Sequence, residues 1–284
     1  MRYHFSVCIC TRNRPEELLR ALRSIERSKH PVHEIIVSDD STDDRTEKMV
    51  RSRFPEVRYI PGPRRGLSAN RNHALRAVTG SHVLFMDDDV ELGENFFSVV
   101  SETLRAGYER HGLKMIVTGL ENLNGHIIYP HEQSFLGFQH RAYKSGEPLR
   151  TIVINSTVFP AFLFREIRFD ELLIYGFDEV DLATRAAQRG YTIVLAERAV
   201  NFHYPSEINR DFYRPHLDKS RLYATFKRYG VTERKWLKAA CFFILSFLHT
   251  VAHGAKKEGL KGILRSLQTF QGSVNLMMQG LRQS

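Results

Sequence analysis

Cysteine is scarce. Cys8, Cys10 and Cys241 are the only three in 284 residues. An odd and sparse set builds no disulfide framework and suits a reducing compartment. Cys8 and Cys10 stand two apart in an apolar run, so they share one strand face and read as small buried hydrophobes rather than as metal ligands. Long apolar runs are missing too. The nearest, Ala239 to Ala252, holds roughly 14 mostly apolar residues against the 18 or more that a spanning helix needs, so no transmembrane helix is expected. The segment before Thr11-Arg12-Asn13-Arg14 is too short for a signal peptide. No Gly-x-Gly-x-x-Gly follows the first apolar strand, which disfavours a dinucleotide dehydrogenase. A nucleotidyltransferase would carry a Gly-rich, Arg-Lys phosphate loop at that point, and Thr11-Arg12-Asn13-Arg14 is not one. There is no internal repeat and no low-complexity tract.

What is present is enough for a packed core. The chain is 42% hydrophobic and 26% charged, which excludes a disordered protein. The formal net charge is +9, which points to an anionic partner: a nucleotide, a nucleic acid or an anionic membrane surface. The excess is uneven. Between Val231 and Ser284 eight Lys and Arg face only Glu233 and Glu258, so six of the nine net charges lie in that stretch.

The first ninety residues alternate. Phe5 to Cys10 reads as a buried strand, and Pro15 opens a helix with Leu18, Leu19, Leu22 and Ile25 on one face. Glu34 to Ser38, Val57 to Ile60 and His82 to Met86 read as further strands, with Ser68 placed to cap a helix between the last two. Such alternation predicts an α/β fold with a mostly parallel sheet and helices on both faces. Ligands of these sheets bind outside the carboxyl ends of the strands. Three polar clusters fall on that rim: Thr11 to Asn13, Asp39-Asp40, and Asp87-Asp88-Asp89. Further on, Lys114 to Leu120, Ile127 to Tyr129, Thr151 to Ile154 and Val158 to Phe164 read as strands. Phe177 to Arg189 reads as a helix with Asp178 as its N-cap and Gly190 past its end, before a strand at Thr192 to Leu195.

Three adjacent carboxylates at a strand end repel one another unless they are solvated or hold a cation. Hard oxygen ligands suit Mg²⁺ or Mn²⁺, which take one or two carboxylates plus substrate phosphates. Strand alternation puts Asp87 and Asp89 on one side. A rim this acidic repels a phosphate backbone, so no nucleic-acid partner is expected.

Five segments in order resemble the family 2 glycosyltransferases: Phe5-Ser-Val-Cys-Ile-Cys-Thr-Arg-Asn13, Glu34-Ile-Ile-Val-Ser-Asp-Asp-Ser-Thr-Asp43, Gly66-Leu-Ser-Ala-Asn-Arg-Asn72, Phe85-Met-Asp-Asp-Asp89, and Phe169-Asp-Glu171 with Phe177-Asp-Glu-Val-Asp-Leu182 and Arg185. Each is weak alone; the ordered set, covering Phe5 to Tyr204, is specific. The resemblance implies the glycosyltransferase-A fold, Rossmann-like with a mostly parallel central sheet flanked by helices. Residues 1–207 would bind the nucleotide sugar and carry catalysis, with 208–284 as a helical, basic C-terminal extension. It implies an inverting hexosyl- or deoxyhexosyltransferase that moves one sugar from a UDP or dTDP donor, a rhamnosyl donor included, to a hydroxyl acceptor on a glycan or lipid-linked glycan. Carried over residue by residue, Thr11 and Asn13 cradle base and ribose, Asp40 meets the base edge, and Arg71 lies near the diphosphate. Asp87 and Asp88 face ribose and metal. Asp89, with Asp87 and His203, holds Mn²⁺ or Mg²⁺. The family's general base belongs to a Glu-Asp pair, reversed here as Asp178-Glu179. Alignment by Asp181, Leu182 and Arg185 puts Glu179 at the base position, with Asp178 as the alternative base or as N-cap. Asn155-Ser156-Thr157 and the loop from Tyr129 to Ser145 would line the sugar and acceptor pocket.

The tail mixes Trp236, Leu237, Phe242, Phe243 and Leu248 with flanking lysines. That pattern fits an interfacial helix on an anionic leaflet, or a helical pair that packs on the body or forms a homodimer. A cytoplasmic protein, peripheral on the inner face of the cell membrane, is expected. The competing reading is a catalytically inactive nucleotide-binding module acting through its C-terminal helices.

Overall fold

The structure is a computed structural model that describes residues 3–144, 146–208 and 210–283. Its strands are β1 (Phe5–Thr11), β2 (Glu34–Asp39), β3 (Arg58–Pro61), β4 (His82–Asp87), β5 (Val90–Glu91), β6 (Met115–Leu123), β7 (His126–Ile128), β8 (His131–Gln133), β9 (Gln139–Ala142), β10 (Thr157–Pro160) and β11 (Thr192–His203). Its helices are α1 (Pro15–Glu26), α2 (Arg45–Arg53), α3 (Leu67–Leu75), α4 (Phe96–His111), α5 (Leu163–Glu166), α6 (Asp178–Gln188), α7 (Arg210–Lys227) and α8 (Trp236–Gln283).

The main sheet runs β3-β2-β1-β4-β10-β6-β11-β5, with β7 paired to β6. From β3 to β4 all pairs are parallel. Beyond β4 the sheet is mixed: β10 is antiparallel to both neighbours, β11 is parallel to β6, and β5 is antiparallel to β11. The expected mostly parallel sheet is wholly parallel in its first half and mixed in its second. β1 is buried on both faces, which is why it reads as a continuous apolar run. One core layer joins β1 and β4 to α1 and α4 through Phe5, Leu22, Leu84 and Phe97; the other joins Cys8, Phe85, Phe159 and Leu182.

Four local expectations are corrected. Thr151 to Ile154 forms no strand: Thr157 Oγ1 and the Ser156 N–H both bond the Val153 carbonyl, folding residues 154–156 into a 3₁₀ turn. The strand from Val158 stops at Pro160, and Leu163 onward is helical. Asp178 is not the N-cap of α6. Phe177 takes that position, left-handed at φ +63°, and no side chain caps the helix. Ser68 likewise caps nothing; its hydroxyl donates to the Leu173 carbonyl at 2.6 Å.

α8 is two arms. Gly259, at φ +58°, breaks the helix, and the second arm folds back along the first. Gly254 and Gly262 meet so closely that a Cβ on either would strike the other's carbonyl oxygen. Ser266 donates to the Thr250 carbonyl, and Phe270 packs its ring on Phe243 and Phe247. A third cluster, with Leu173, Tyr223, Tyr229, Phe242, Phe270 and Met277, binds this hairpin to α7 and to the segment before α6. By length and composition α8 is apolar enough to cross a membrane, which a count of consecutive apolar residues did not show.

Candidate active site

The carboxyl ends of β1, β2 and β4 open onto a cavity of about 570 Å³. Its lining includes Thr11, Asp40, Asp87, Asp88, Asp89 and His203, six of the residues expected from sequence. Asp40 stands where β2 meets its loop, and its Oδ1 accepts the Arg64 N–H at 2.7 Å. Gly62 must be glycine, because a Cβ there would collide with that same oxygen. Burial raises the Asp40 carboxyl above its ordinary value, against the pull of the Arg64 N–H and Arg12.

β4 ends at Asp87, so strand alternation does not reach Asp89. Asp88 and Asp89 turn inward and are buried, whereas Asp87 is partly exposed. Asp88 accepts Thr11 Oγ1 at 2.7 Å and Arg14 Nη1 at 3.0 Å. Burial still lifts its carboxyl to about 7, with the Asp89 charge adding to the rise and Arg14 opposing it. Asp89 goes the other way. Burial pushes it up, but His203, the Ser206 N–H and Arg14 outweigh that and hold it below its ordinary value.

His203 comes from the far end of β11. Its Nδ1 lies 2.7 Å from Glu121 Oε1 and its Nε2 3.3 Å from Asp89 Oδ1. Burial would lower its pKa, yet the two carboxylates raise it to about 10. Glu121 orients the ring and leaves Nε2 facing Asp89, the carboxylate–histidine arrangement of metal centres. The Asp89 oxygen and His203 Nε2 lie 3.3 Å apart; with the imidazole neutral they are one oxygen and one nitrogen donor of the kinds Mn²⁺ or Mg²⁺ accept beside water and phosphate oxygens. Among the described residues no group of three His, Cys, Asp or Glu converges with metal-ligand spacing. Asp87 Oδ1 accepts Arg71 Nη2 at 3.0 Å.

Four of the expected nucleotide-binding and catalytic residues do not line the cavity. Asn13, left-handed at φ +57°, joins the β1 and β2 loops by bonding Ser41 Oγ at 2.7 Å and the Thr42 N–H at 2.9 Å. Arg71 is buried and spans from Asp87 to Asp178, so its guanidinium braces the β4 end against the start of α6. Burial would lower its pKa, but those two carboxylates raise it well above the ordinary value. Asp178 is buried in that ion pair, while Glu179 beside it is partly exposed. Burial, then the Asp178 charge, push the Glu179 carboxyl well above its ordinary value. Asn155 is a brace as well: its Oδ1 accepts the Asp87 N–H and its Nδ2 donates to Glu121. The loop from Tyr129 becomes the β8–β9 hairpin, packed on the C-terminal helices through Phe135 on Tyr229 and Arg221 over Phe138; Ser145 lies outside the described residues.

Sequence reasoning missed Arg12, Arg14, Tyr175 and Tyr213, which also line the cavity. Arg12 and Arg14 flank Asn13 in a motif already singled out, and their charge beside an acidic rim was the available signal. The Tyr175 and Tyr213 rings stack with centroids 4.4 Å apart, joining α7 to the segment before α6. No local pattern marks that pairing.

Known proteins bear on the assignment. The profile of the glycosyl transferase family 2 matches residues 6–165. The chain is 32% identical over 108 residues to the GalNAc(5)-diNAcBac-PP-undecaprenol beta-1,3-glucosyltransferase of Campylobacter jejuni, and 29% identical over 108 residues to the succinoglycan biosynthesis protein ExoM of Rhizobium meliloti. Each match covers 36% of this chain and 35% of the relative, so it spans about a third of those proteins. Residues 1–349 of S. aureus TarS superpose with a TM-score of 0.63 at 17% identity, covering 96% of this chain and 81% of that one. The mannosyltransferase PcManGT of Pyrobaculum calidifontis, in complex with GDP-Man and Mn²⁺, superposes at 0.59 and 16% identity, covering 98% and 88%. These structures share the glycosyltransferase-A-like α/β fold expected for the chain. With the family profile covering more than half of its length and the acidic rim in place, the chain belongs to the family 2 glycosyltransferases.

Proposed function

We propose that the protein transfers a single sugar from a UDP- or dTDP-sugar to a hydroxyl of a glycan or lipid-linked glycan, with inversion, on the cytoplasmic side of the cell membrane. The observation that carries this reading is the cavity itself. A nucleobase-side carboxylate, Asp40, and a metal-side pair, Asp89 and His203, line one cavity together with Arg12 and Arg14. TarS, solved with UDP and with UDP-GlcNAc, and PcManGT, solved with GDP-Man, share the fold and support a nucleotide-sugar donor. The lipid-linked acceptor named for the Campylobacter relative supports an acceptor of that class.

Asp40 accepts the N3–H that uracil and thymine carry. Thr11 and the Tyr175–Tyr213 stack enclose base and ribose. Arg12 and Arg14 face the diphosphate, which suits a rigid guanidinium fork. Asp89 and His203 would hold Mn²⁺ or Mg²⁺, with Asp87 and Asp88 turned toward ribose and metal. A cation bound there would supply positive charge to offset that of the departing diphosphate. Glu179 takes the proton of the acceptor hydroxyl as the new bond forms, and Arg71 with Asp178 sets the position of the α6 start. Residues 1–207 carry this chemistry, and 208–284 supply Tyr213 to the cavity and a basic apolar surface.

The thermal stability of the purified protein with UDP, dTDP, GDP and CDP, with and without Mn²⁺ or Mg²⁺, tests the reading. A metal-dependent gain with UDP or dTDP is expected; no gain with any pair would refute the donor assignment. One observation favours a nucleotide-binding module without catalysis: Glu179 is absent from the cavity lining. A nucleotide shift without turnover of any donor, hydrolysis included, would select that reading.

A further inference from the structure

The first arm of α8 is apolar on both sides. One side is docked: Ala239, Phe242 and Ser246 are buried against the body of the protein. The opposite side carries Leu237, Cys241, Ile244, Leu245, Leu248 and Ala252, all exposed. Their spacing of three and four residues places them on one stripe over about four turns, roughly 22 Å long at 1.5 Å per residue. Leu237 is 86% exposed and Ile244 59%. Of the most apolar 18-residue window of α8, only 17% is buried. A soluble surface helix shows its polar side to water, so an arm with this apolar stripe opposite its docked side calls for a second apolar surface.

Charge says which surface. Arg234 and Lys235 stand exposed where the stripe begins. Lys256, Lys257 and Lys261 stand exposed at the turn where it ends, beside Leu260 and Leu264, which are 73% and 55% exposed. Glu258 is the one acid of that turn, and it is paired with Arg265 at 2.8 Å. Cations at both ends of an apolar stripe match an anionic interface, with lysines at the headgroups and leucines among the acyl chains. A spanning arrangement does not fit this fold, because the buried side of the same turns is held by Tyr229 and Phe270. That leaves one face for lipid, and the arm lies in the interface plane. Arm and β8–β9 hairpin touch, the rings of Phe138 and His249 being 5.6 Å apart.

We propose that the α8 hairpin is a docking surface for an anionic phospholipid leaflet, with the Leu237–Ala252 stripe in the interface and the lysines of the 256–261 turn on the headgroups. No stripe residue lines the cavity, so docking and donor binding can be measured separately on one protein. The test is co-sedimentation of the full chain with phosphatidylcholine vesicles, with and without phosphatidylglycerol, beside sedimentation velocity without lipid. The wild type is expected to pellet with the anionic vesicles at least tenfold more than with the neutral ones. Ile244→Glu with Leu248→Glu should cut that partition at least tenfold, and Lys256→Glu with Lys257→Glu should remove the preference for anionic lipid. Each variant should keep the wild-type shift with UDP, which shows that it is folded and, by its presence, keeps failure of docking apart from failure of the donor reading. A folded wild type that stays in the supernatant with anionic vesicles overturns the proposal. So does a dimer in sedimentation velocity that Ile244→Glu dissociates, because the stripe is then the interface between two copies.

Discussion

At the rim of the sheet, acidic side chains are buried and matched with donors; along the first arm of α8, apolar side chains are exposed. Asp88 and Asp89 between them accept from Thr11, Arg14, His203 and the Ser206 N–H. The stripe along that arm shows water Leu237, Cys241, Ile244, Leu245, Leu248 and Ala252. The rim is specified by directional bonds that a few atoms satisfy. The arm is specified on one side by packing and on the other by whatever apolar phase it meets. The two regions should therefore fail differently when altered: the rim through function at nearly constant fold, the hairpin through fold on its inner side and through docking on its outer side.

The sharpest break is Glu179→Gln. It is expected to lower kcat by about 10²- to 10⁴-fold while nucleotide binding stays intact, since an amide cannot take the acceptor proton. The pH profile carries the same information. Burial and the Asp178 charge raise the Glu179 pKa, and only the deprotonated form is a base. Activity should thus be low on the acid side and rise with pH through a value well above the ordinary glutamate pKa of about 4.3. An acid limb near that ordinary value, or near-normal turnover of the variant, would hand the role to another group.

Next in size is Lys227→Met, where rim and C-terminal helices join. Lys227 lies 2.6 Å from Asp170 and 3.0 Å from Asp181, and Asp181 also pairs with Arg185 at 2.6 Å. Removing the lysine leaves Asp170 with the Tyr223 hydroxyl and the Leu172 N–H but no cation, and Asp181 with one cation. About 3 kcal/mol of stability should be lost, the low end for a broken buried pair because Arg185 remains. Urea unfolding measures it. A loss under about 0.5 kcal/mol, the scale of an ordinary surface change, would mean that α7 is an appendage rather than part of the catalytic unit.

The parallel half of the sheet and its rim were legible because short-range signals decide them: an apolar run, a turn, an acidic cluster, repeated in order. That Asp40, Asp88 and Asp89 lie on the cavity was legible, although strand alternation did not give the side on which Asp89 falls. The second half was less so. β10 enters antiparallel between β4 and β6, a choice made by long-range pairing. Arg71 looked like a phosphate ligand because its residue type suits one, yet the distant Asp178 claims it. Tyr213 joins the cavity only through the path of α7. The hairpin was half visible, in composition but not in its turn at Gly259.

Asp89→Ala tests the rim at a smaller scale. With nucleotide at about 100 times its dissociation constant, metal-dependent stabilisation of roughly 2.7 kcal/mol is expected in the wild type, and the variant should lose it. If the gain survived, His203 and Asp89 would not be the metal pair, and Asp87 would be the next residue to change.

The smallest expected effect is the most telling for the outer face. Ile244→Asn replaces an exposed residue of the same helix whose inner side buries Phe242. Water already reaches Ile244, so stability in lipid-free buffer should change by no more than about 0.5 kcal/mol. Measured by urea unfolding, a loss of about 2 kcal/mol or more, typical of truncating a buried aliphatic side chain, would mean that the stripe is already covered in solution by a second copy. A null effect on stability together with weaker vesicle binding is the pattern expected of a surface shaped for lipid rather than for the protein's own core.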